Sequence, residues 1–319
     1  MIDYTIHYKE RLEPKSLIGD GRRWDHLISA FDGSQRTKFV FRHTKAQKKT
    51  WLVLPEYAIQ PSEVPDGALE LSEDDDELTR INGALTTLGI TSTTALCIDI
   101  TGILVPYLFA IFRFLRNTGV SKVGVFYGDP ERYRDKENTR FSDEEVLEVR
   151  QIAGYEGAHV PDTNHDLLII GVGYDHKLVI SVADHKEHAR KSLLFGFPSL
   201  RPDMYQEGIL RARHAAQAVG PEASDPESYE FAPANDPFVT ASVISQIVRD
   251  YRLRERKDCN IYLAPLATKP QALGFVLYYL AEGEGGAISV IYPFCGRHNR
   301  LAAEGVSAVW LYSVELAST

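Results

Sequence analysis

Cysteine is scarce in this 319-residue chain, which has only Cys97, Cys259 and Cys295, far apart. Three separated thiols exclude a disulfide framework and a paired-cysteine zinc module, and they suit a reducing compartment. The first residues, MIDYTIHYKERLEPK, lack the apolar core of a secretory signal. The most apolar run, ILVPYLFAIFRFL, is broken by Pro106 and Arg113 and is too short for a bilayer crossing. A cytoplasmic chain with no membrane segment is therefore expected. Excess positive charge is also lacking. A formal net charge of -9 disfavours nonspecific nucleic-acid binding, although a local basic groove stays open as a reading. There is no Gly-rich P-loop, no HExxH pair and no nucleophile elbow around Ser181 or Ser199, so no familiar catalytic motif names a reaction.

What is present is a hydrophobic fraction of 44%, enough for a large core, and a chain length that suits two lobes or one continuous α/β unit. KFVFRH and WLVLPEY, joined by the polar TKAQKK, predict a β-hairpin. The acidic run at 73–77 reads as a solvated connector, with a metal-binding loop as the alternative, and a short helix follows over 77–89. From residue 95 short apolar strands alternate with longer helices. Strands are expected at ALCIDITG, KVGVFYGD, DLLIIGVG, KSLLFGFPS, NIYLAP, GAISVIYPF and SAVWLYSVEL. Helices are expected over 106–119, 176–191, 202–219 (with Pro202 in the first turn) and 238–256, and after Lys269. Residues 220–237 read as a loop.

Residues 95–127 and 259–292 both run strand, polar turn, helix, strand. The pattern predicts a Rossmann-like, mostly parallel sheet flanked by helices, with a small N-terminal β-containing extension. The expected division is an extension over 1–90 and an α/β domain over 91–319. In open α/β sheets ligands bind beyond the C-terminal strand ends, which draws attention to Asp99, Thr101, Gly102, Tyr127, Asp129, Gly171, Gly173, Asp175, Thr268 and Lys269.

Each of these groups has a chemical and a structural reading. Thr268 and Lys269 can bind an anion such as a nucleotide phosphate, aided by helix amides, or can serve packing and surface roles. Asp99 can orient a ribose hydroxyl, hold a divalent ion, or cap Thr101 and its turn. Tyr127, Asp129, Arg132 and Arg134 can surround a base and sugar phosphate, or form a surface turn tied by Asp–Arg pairs. Gly173, Asp175 and His176 suit a recognition loop, an acid–base pair or a structural turn. His185 and His188, three apart, suit a charged helix face or two zinc ligands. Asn235 can contact a ligand while Asp236 caps the following helix. Arg297, His298 and Arg300 form a second candidate anion patch.

The segment NIYLAPLATKPQALGF, a hydrophobic strand, a Thr-Lys-Pro turn and an apolar helix, resembles the corresponding motif of CARF domains. Those are Rossmann-like sensors of cyclic oligonucleotides in prokaryotic antiviral systems. The resemblance spans about a dozen to twenty residues, and Leu266-Ala267 stand where that family's turn is richer in glycine. It implies a nucleotide ligand held through Thr268 and Lys269. The leading expectation is thus a nucleotide- or phosphorylated-ligand-binding protein, a regulatory sensor that holds its ligand between the repeated strand-end loops and acts through a homo-oligomer or an effector protein. No cofactor is firmly expected. Two alternatives stand beside it: a hydrolase or transferase of a nucleotide, nucleoside or sugar phosphate using Asp175/His176 or Glu156, and a protein-interaction subunit.

Overall fold

The computed structural model describes residues 2–4, 7–133, 146–201, 204–255, 258–300 and 303–316. Backbone contacts divide the chain into two compact units. The first comprises Ile6–Glu144 with Arg297–Thr319, and the second comprises Met1–Thr5 with Glu145–Gly296.

The first unit is built on a seven-stranded mixed sheet. Its strands are β1 (Tyr8–Leu12), β2 (Trp24–Ala30), β3 (Ala46–Val53), β4 (Leu69–Glu70), β5 (Leu96–Asp99) and β6 (Lys122–Asp129), with β15 (Ala308–Glu315) from the C-terminal segment. Their order is β1-β15-β6-β5-β2-β3-β4. β2 to β6 are mutually parallel, whereas β15 is antiparallel to both β6 and β1. A separate ribbon pairs β7 (Arg132–Tyr133) with β14 (Ala303–Glu304). The helices are α1 (Pro14–Gly19), α2 (Gln35–His43), α3 (Glu77–Thr87) and α4 (Val105–Asn117).

The second unit has six strands, β8 (Val146–Gln151), β9 (Leu167–Gly171), β10 (Arg190–Gly196), β11 (Glu230–Ala232), β12 (Ile261–Pro265) and β13 (Ile288–Cys295). They lie in the order β11-β10-β9-β12-β13-β8, all parallel except β8. Its helices are α5 (His176–His185), α6 (Met204–His214), α7 (Ala216–Val219), α8 (Pro221–Ser224), α9 (Pro237–Glu255) and α10 (Lys269–Tyr278).

The two units repeat one plan. Read across each sheet, β4-β3-β2-β5-β6-β15 matches β11-β10-β9-β12-β13-β8: five parallel strands, then one antiparallel. The repeat foreseen at 95–127 and 259–292 is the centre of that plan, β5–α4–β6 and β12–α10–β13. Both crossover helices are apolar on nearly every side. From Val105 to Leu115 every residue of α4 is buried, and from Pro270 to Tyr278 every residue of α10 is. A helix that is hydrophobic all round belongs inside a protein. Among the described residues, no helix is both long and apolar enough to cross a membrane.

Several local expectations change. KFVFRH is the end of α2, not a strand, and β2 and β3 are parallel with α2 between them, so there is no hairpin. Ser34 caps the helix by accepting from the Thr37 amide at 3.3 Å. Thr37 and Val40 face the core, and Phe41 stacks on Trp51 at 3.8 Å. That is a helical spacing written in residues that also suit strands. The N-terminal extension does contain β-strands, but β2 pairs with β5, so a boundary at residue 90 would pass between two hydrogen-bonded strands of one sheet. α5 ends at His185 and Arg190 already begins β10, so His185 and His188 share no helical face. Residues 220–237 hold α8 and β11. Pro202 and Arg134 lie outside the described residues.

Candidate functional site

In the second unit the parallel strands end together, and the turns beyond them are locked to one another. Gly173, just past β9, is pressed against the turn after β12: a side-chain carbon there would lie 2.0 Å from the Leu266 carbonyl oxygen. Only glycine permits that approach. The Ala234 amide donates to the Pro198 carbonyl at 2.9 Å, linking the loops after β11 and β10. The Thr268 hydroxyl donates to the Ala234 carbonyl, linking the loops after β12 and β11.

Three helices start from this edge. Asp175 is the N-cap of α5, accepting from the Lys177 amide at 3.1 Å. Asp236 accepts from the amides of Phe238 and Val239, both at 3.1 Å, at the start of α9. Thr268 caps α10, accepting from the Gln271 amide at 3.3 Å. The positive ends of three helix dipoles therefore point to one edge, and Lys269 adds a formal charge beside Thr268. Gly173, Asp175, Asn235, Thr268 and Lys269 lie in the turns of that edge, and His176 opens α5 beside them. Phe197 and Phe231 stand at the same edge, with ring centroids 6.2 Å apart and both substantially exposed. Phe197 was not foreseen, although the FGFP run after β10 carried the signal.

Asp99, Thr101, Gly102, Tyr127 and Asp129 belong to the strand-end edge of the first unit. Asp99 has no exposed surface. Its carboxylate accepts from the Thr101 amide at 3.0 Å, from the Thr101 hydroxyl, and from the Ser29 hydroxyl at 2.9 Å. Burial raises its pKa to about 6; the hydrogen bonds from Thr101 and Ser29 pull the other way, and Asp32 adds a smaller upward push. This is the capping geometry. The Thr101 hydroxyl in turn accepts from the Gly128 amide at 2.8 Å, tying β5 to β6. A side-chain carbon on Gly102 would lie 2.6 Å from the Ala30 carbonyl oxygen, so this glycine serves the contact between β2 and the turn after β5. The Gly102 carbonyl accepts from the Tyr57 hydroxyl at 2.6 Å. Tyr127 is buried within β6, and Asp129 closes that strand with its carbonyl accepting from the Ser307 amide at 3.0 Å.

Residues missed in the sequence complete this second edge. Asp32 accepts from the Ser34 amide at 2.8 Å and the Thr37 hydroxyl at 2.6 Å, forming the turn after β2. The Asp-Gly-Ser run was the available signal, but it carried no meaning while β2 went unread. Glu56 accepts from Tyr107 at 2.9 Å and from Arg80 at 3.2 Å. Of the candidate basic patch, Arg300 pairs with Glu63 at 3.2 Å and lies beside Gly33, while the His298 amide donates to the Glu56 carbonyl at 3.0 Å.

No protein-family model matches the chain, and no curated protein sequence is significantly similar to it. The geometry stands alone.

The acid–base alternative gains little from it. The Asp175 carboxylate is engaged as a helix cap, and the His176 ring lies 5.3 Å from the His214 ring. Glu156 accepts from the Gly154 amide at 3.2 Å in a turn after β8. Because β8 is antiparallel to β13, that turn lies at the opposite edge from the parallel strand ends.

Proposed function

We propose that the strand-end edge of the second unit binds a nucleotide or another phosphorylated small molecule. The observation that carries this reading is the convergence of three capped helix starts with Lys269 at one edge of a parallel sheet. In this reading Lys269, at the positive end of the α10 dipole, holds anionic groups, while His176 and Asn235 contact the rest of the ligand. The exposed Phe197 and Phe231 rings offer faces on which a base can stack. The first-unit residues Asp99, Thr101, Gly102, Tyr127 and Asp129 shape the equivalent edge there, with Asp99 acting through Thr101. A regulatory sensor, cytoplasmic and of the CARF-like kind used in prokaryotic defence, is the form of the proposal that the β12–Thr268–Lys269–α10 resemblance supports. Its output then passes through a homo-oligomer or an effector protein.

The test is a calorimetric titration of the full chain with ATP, cyclic di-AMP and a cyclic triadenylate, repeated with Lys269→Ala. A charge-assisted hydrogen bond is worth about 1.5–3 kcal/mol, so at least one ligand should bind roughly tenfold or more weakly to the variant. An unchanged affinity would remove Lys269 from the site. Turnover of the bound ligand would move the reading to the enzyme alternative.

A further inference from the structure

The second unit contains a cavity of about 300 Å³ away from the strand-end edge, between the first half of β10 and one face of α9. It arises from a mismatch in strand length. β11 begins opposite Leu194, so among the described residues the start of β10 has no strand on that side. The Arg190 amide donates to the Asp166 carbonyl, and the Leu194 carbonyl accepts from Val172, both at 2.8 Å on the β9 side. Main-chain groups alternate along a parallel strand. The peptide N–H and C=O of Lys191 therefore face the cavity.

The lining is ordered along its length. α9 leads from the end of β11 back to the start of β12, so it runs opposite to the strands. At one end lie Val243 and Ile247 of α9, an apolar wall. Glu230 and Asp250 come next, from β11 and from α9. At the far end are Arg190 and Lys191 of β10, with Arg254 one turn beyond Asp250. Among the described residues no hydrogen bond reaches the Glu230 or the Asp250 carboxylate. Burial raises the Glu230 carboxyl, the Asp250 charge raises it further, and Arg254 opposes both. Among the described residues Arg190 pairs only with the exposed Glu222, at 3.4 Å, and exposed pairs of this kind are worth little.

With Glu222, the formal charges of the lining balance at three positive and three negative. A polyanion gains nothing overall from such a site, and a volume near 300 Å³ is at the small end for ligand pockets. A molecule with both charges and an apolar arm matches all three zones. We infer that this cavity is a distinct binding site for an apolar α-amino acid, held by its ammonium at Glu230 and Asp250, its carboxylate at Arg190, Arg254 and the Lys191 amide, and its side chain against Val243 and Ile247. The inference is independent of the nucleotide reading.

The experiment is calorimetric titration of the full chain with L-leucine, N-acetyl-L-leucine and L-leucinamide. L-leucine should bind saturably at one site, and neither derivative should, because each has lost one charge. Glu230→Gln and Arg190→Gln should each weaken L-leucine at least tenfold. Asp75→Asn, in the exposed acidic run, should leave its affinity unchanged. Circular dichroism checks that the variants fold, and the two derivatives test the site even if a variant does not. Failure of L-leucine to saturate, binding of either derivative as tightly as L-leucine, or full affinity in both cavity variants would overturn the assignment.

Discussion

Asp99 is a carboxylate sealed inside a sheet, and its energetics can be separated from any ligand. Its folded-state pKa of about 6 stands above the ordinary value near 3.9. Between those values the folded chain keeps a proton that the unfolded chain releases, so this residue's contribution to stability declines as pH rises through the window. The total is about 3 kcal/mol, lost by pH 7 and absent as a penalty below pH 4. Asp99→Asn removes the ionisation. Urea unfolding of both proteins at pH 4 and pH 7 should show the stability difference moving toward the variant by about 2–3 kcal/mol as pH rises. No movement would mean that Asp99 titrates as an ordinary carboxylate. At Lys269, by contrast, removal of the charge should reduce ligand affinity with little effect on folding, since the α10 cap belongs to Thr268.

At the scale of elements, the edge of the second unit depends on how closely β9 meets the turn after β12. Gly173→Ala places a carbon against a main-chain oxygen, which no rotamer change can relieve. We expect it to cost about 1–3 kcal/mol, as overpacking does, whereas Gly21→Ala, with nothing within 4 Å, should be nearly neutral. Equal urea midpoints for the two variants would contradict the contact. Gly173 stood out in the sequence as part of a strand-end recognition loop or structural turn; its closest approach is to the chain's own backbone at Leu266. The same scale explains what was legible. Continuous apolar runs such as β9 and β12 announce buried parallel strands, and Thr268 and Asp236 announce helix starts through their caps. α2 was misread because β-branched and aromatic residues hold its core face, and strand propensity outweighed a short helical period. β8 and β1 went unread because edge strands carry charged, weakly alternating sequences: Glu148 and Arg150 pair with each other on β8 at 2.9 Å.

The whole molecule consists of two units with one strand plan, and that was only half legible. The central β–α–β pieces were visible as a repeat because their crossover helices are apolar on almost every side. The full repeat was hidden, since each unit takes its antiparallel strand from a different place in the chain: β15 follows the parallel strands it completes, whereas β8 precedes its own. The candidate residues consequently divide between two edges, six in the second unit and five in the first. The convergence that supports ligand binding is strongest in the second. The measurement that tests this most directly is native mass spectrometry of the gently purified full chain, followed by denaturing analysis of the released fraction and by incubation with ATP, cyclic di-AMP and a cyclic triadenylate. A nucleotide or phosphorylated molecule bound at unit stoichiometry to the wild type and depleted in Lys269→Ala is the predicted result. A chain that emerges empty and gains no mass with any of the three, even at millimolar ligand, would contradict the account.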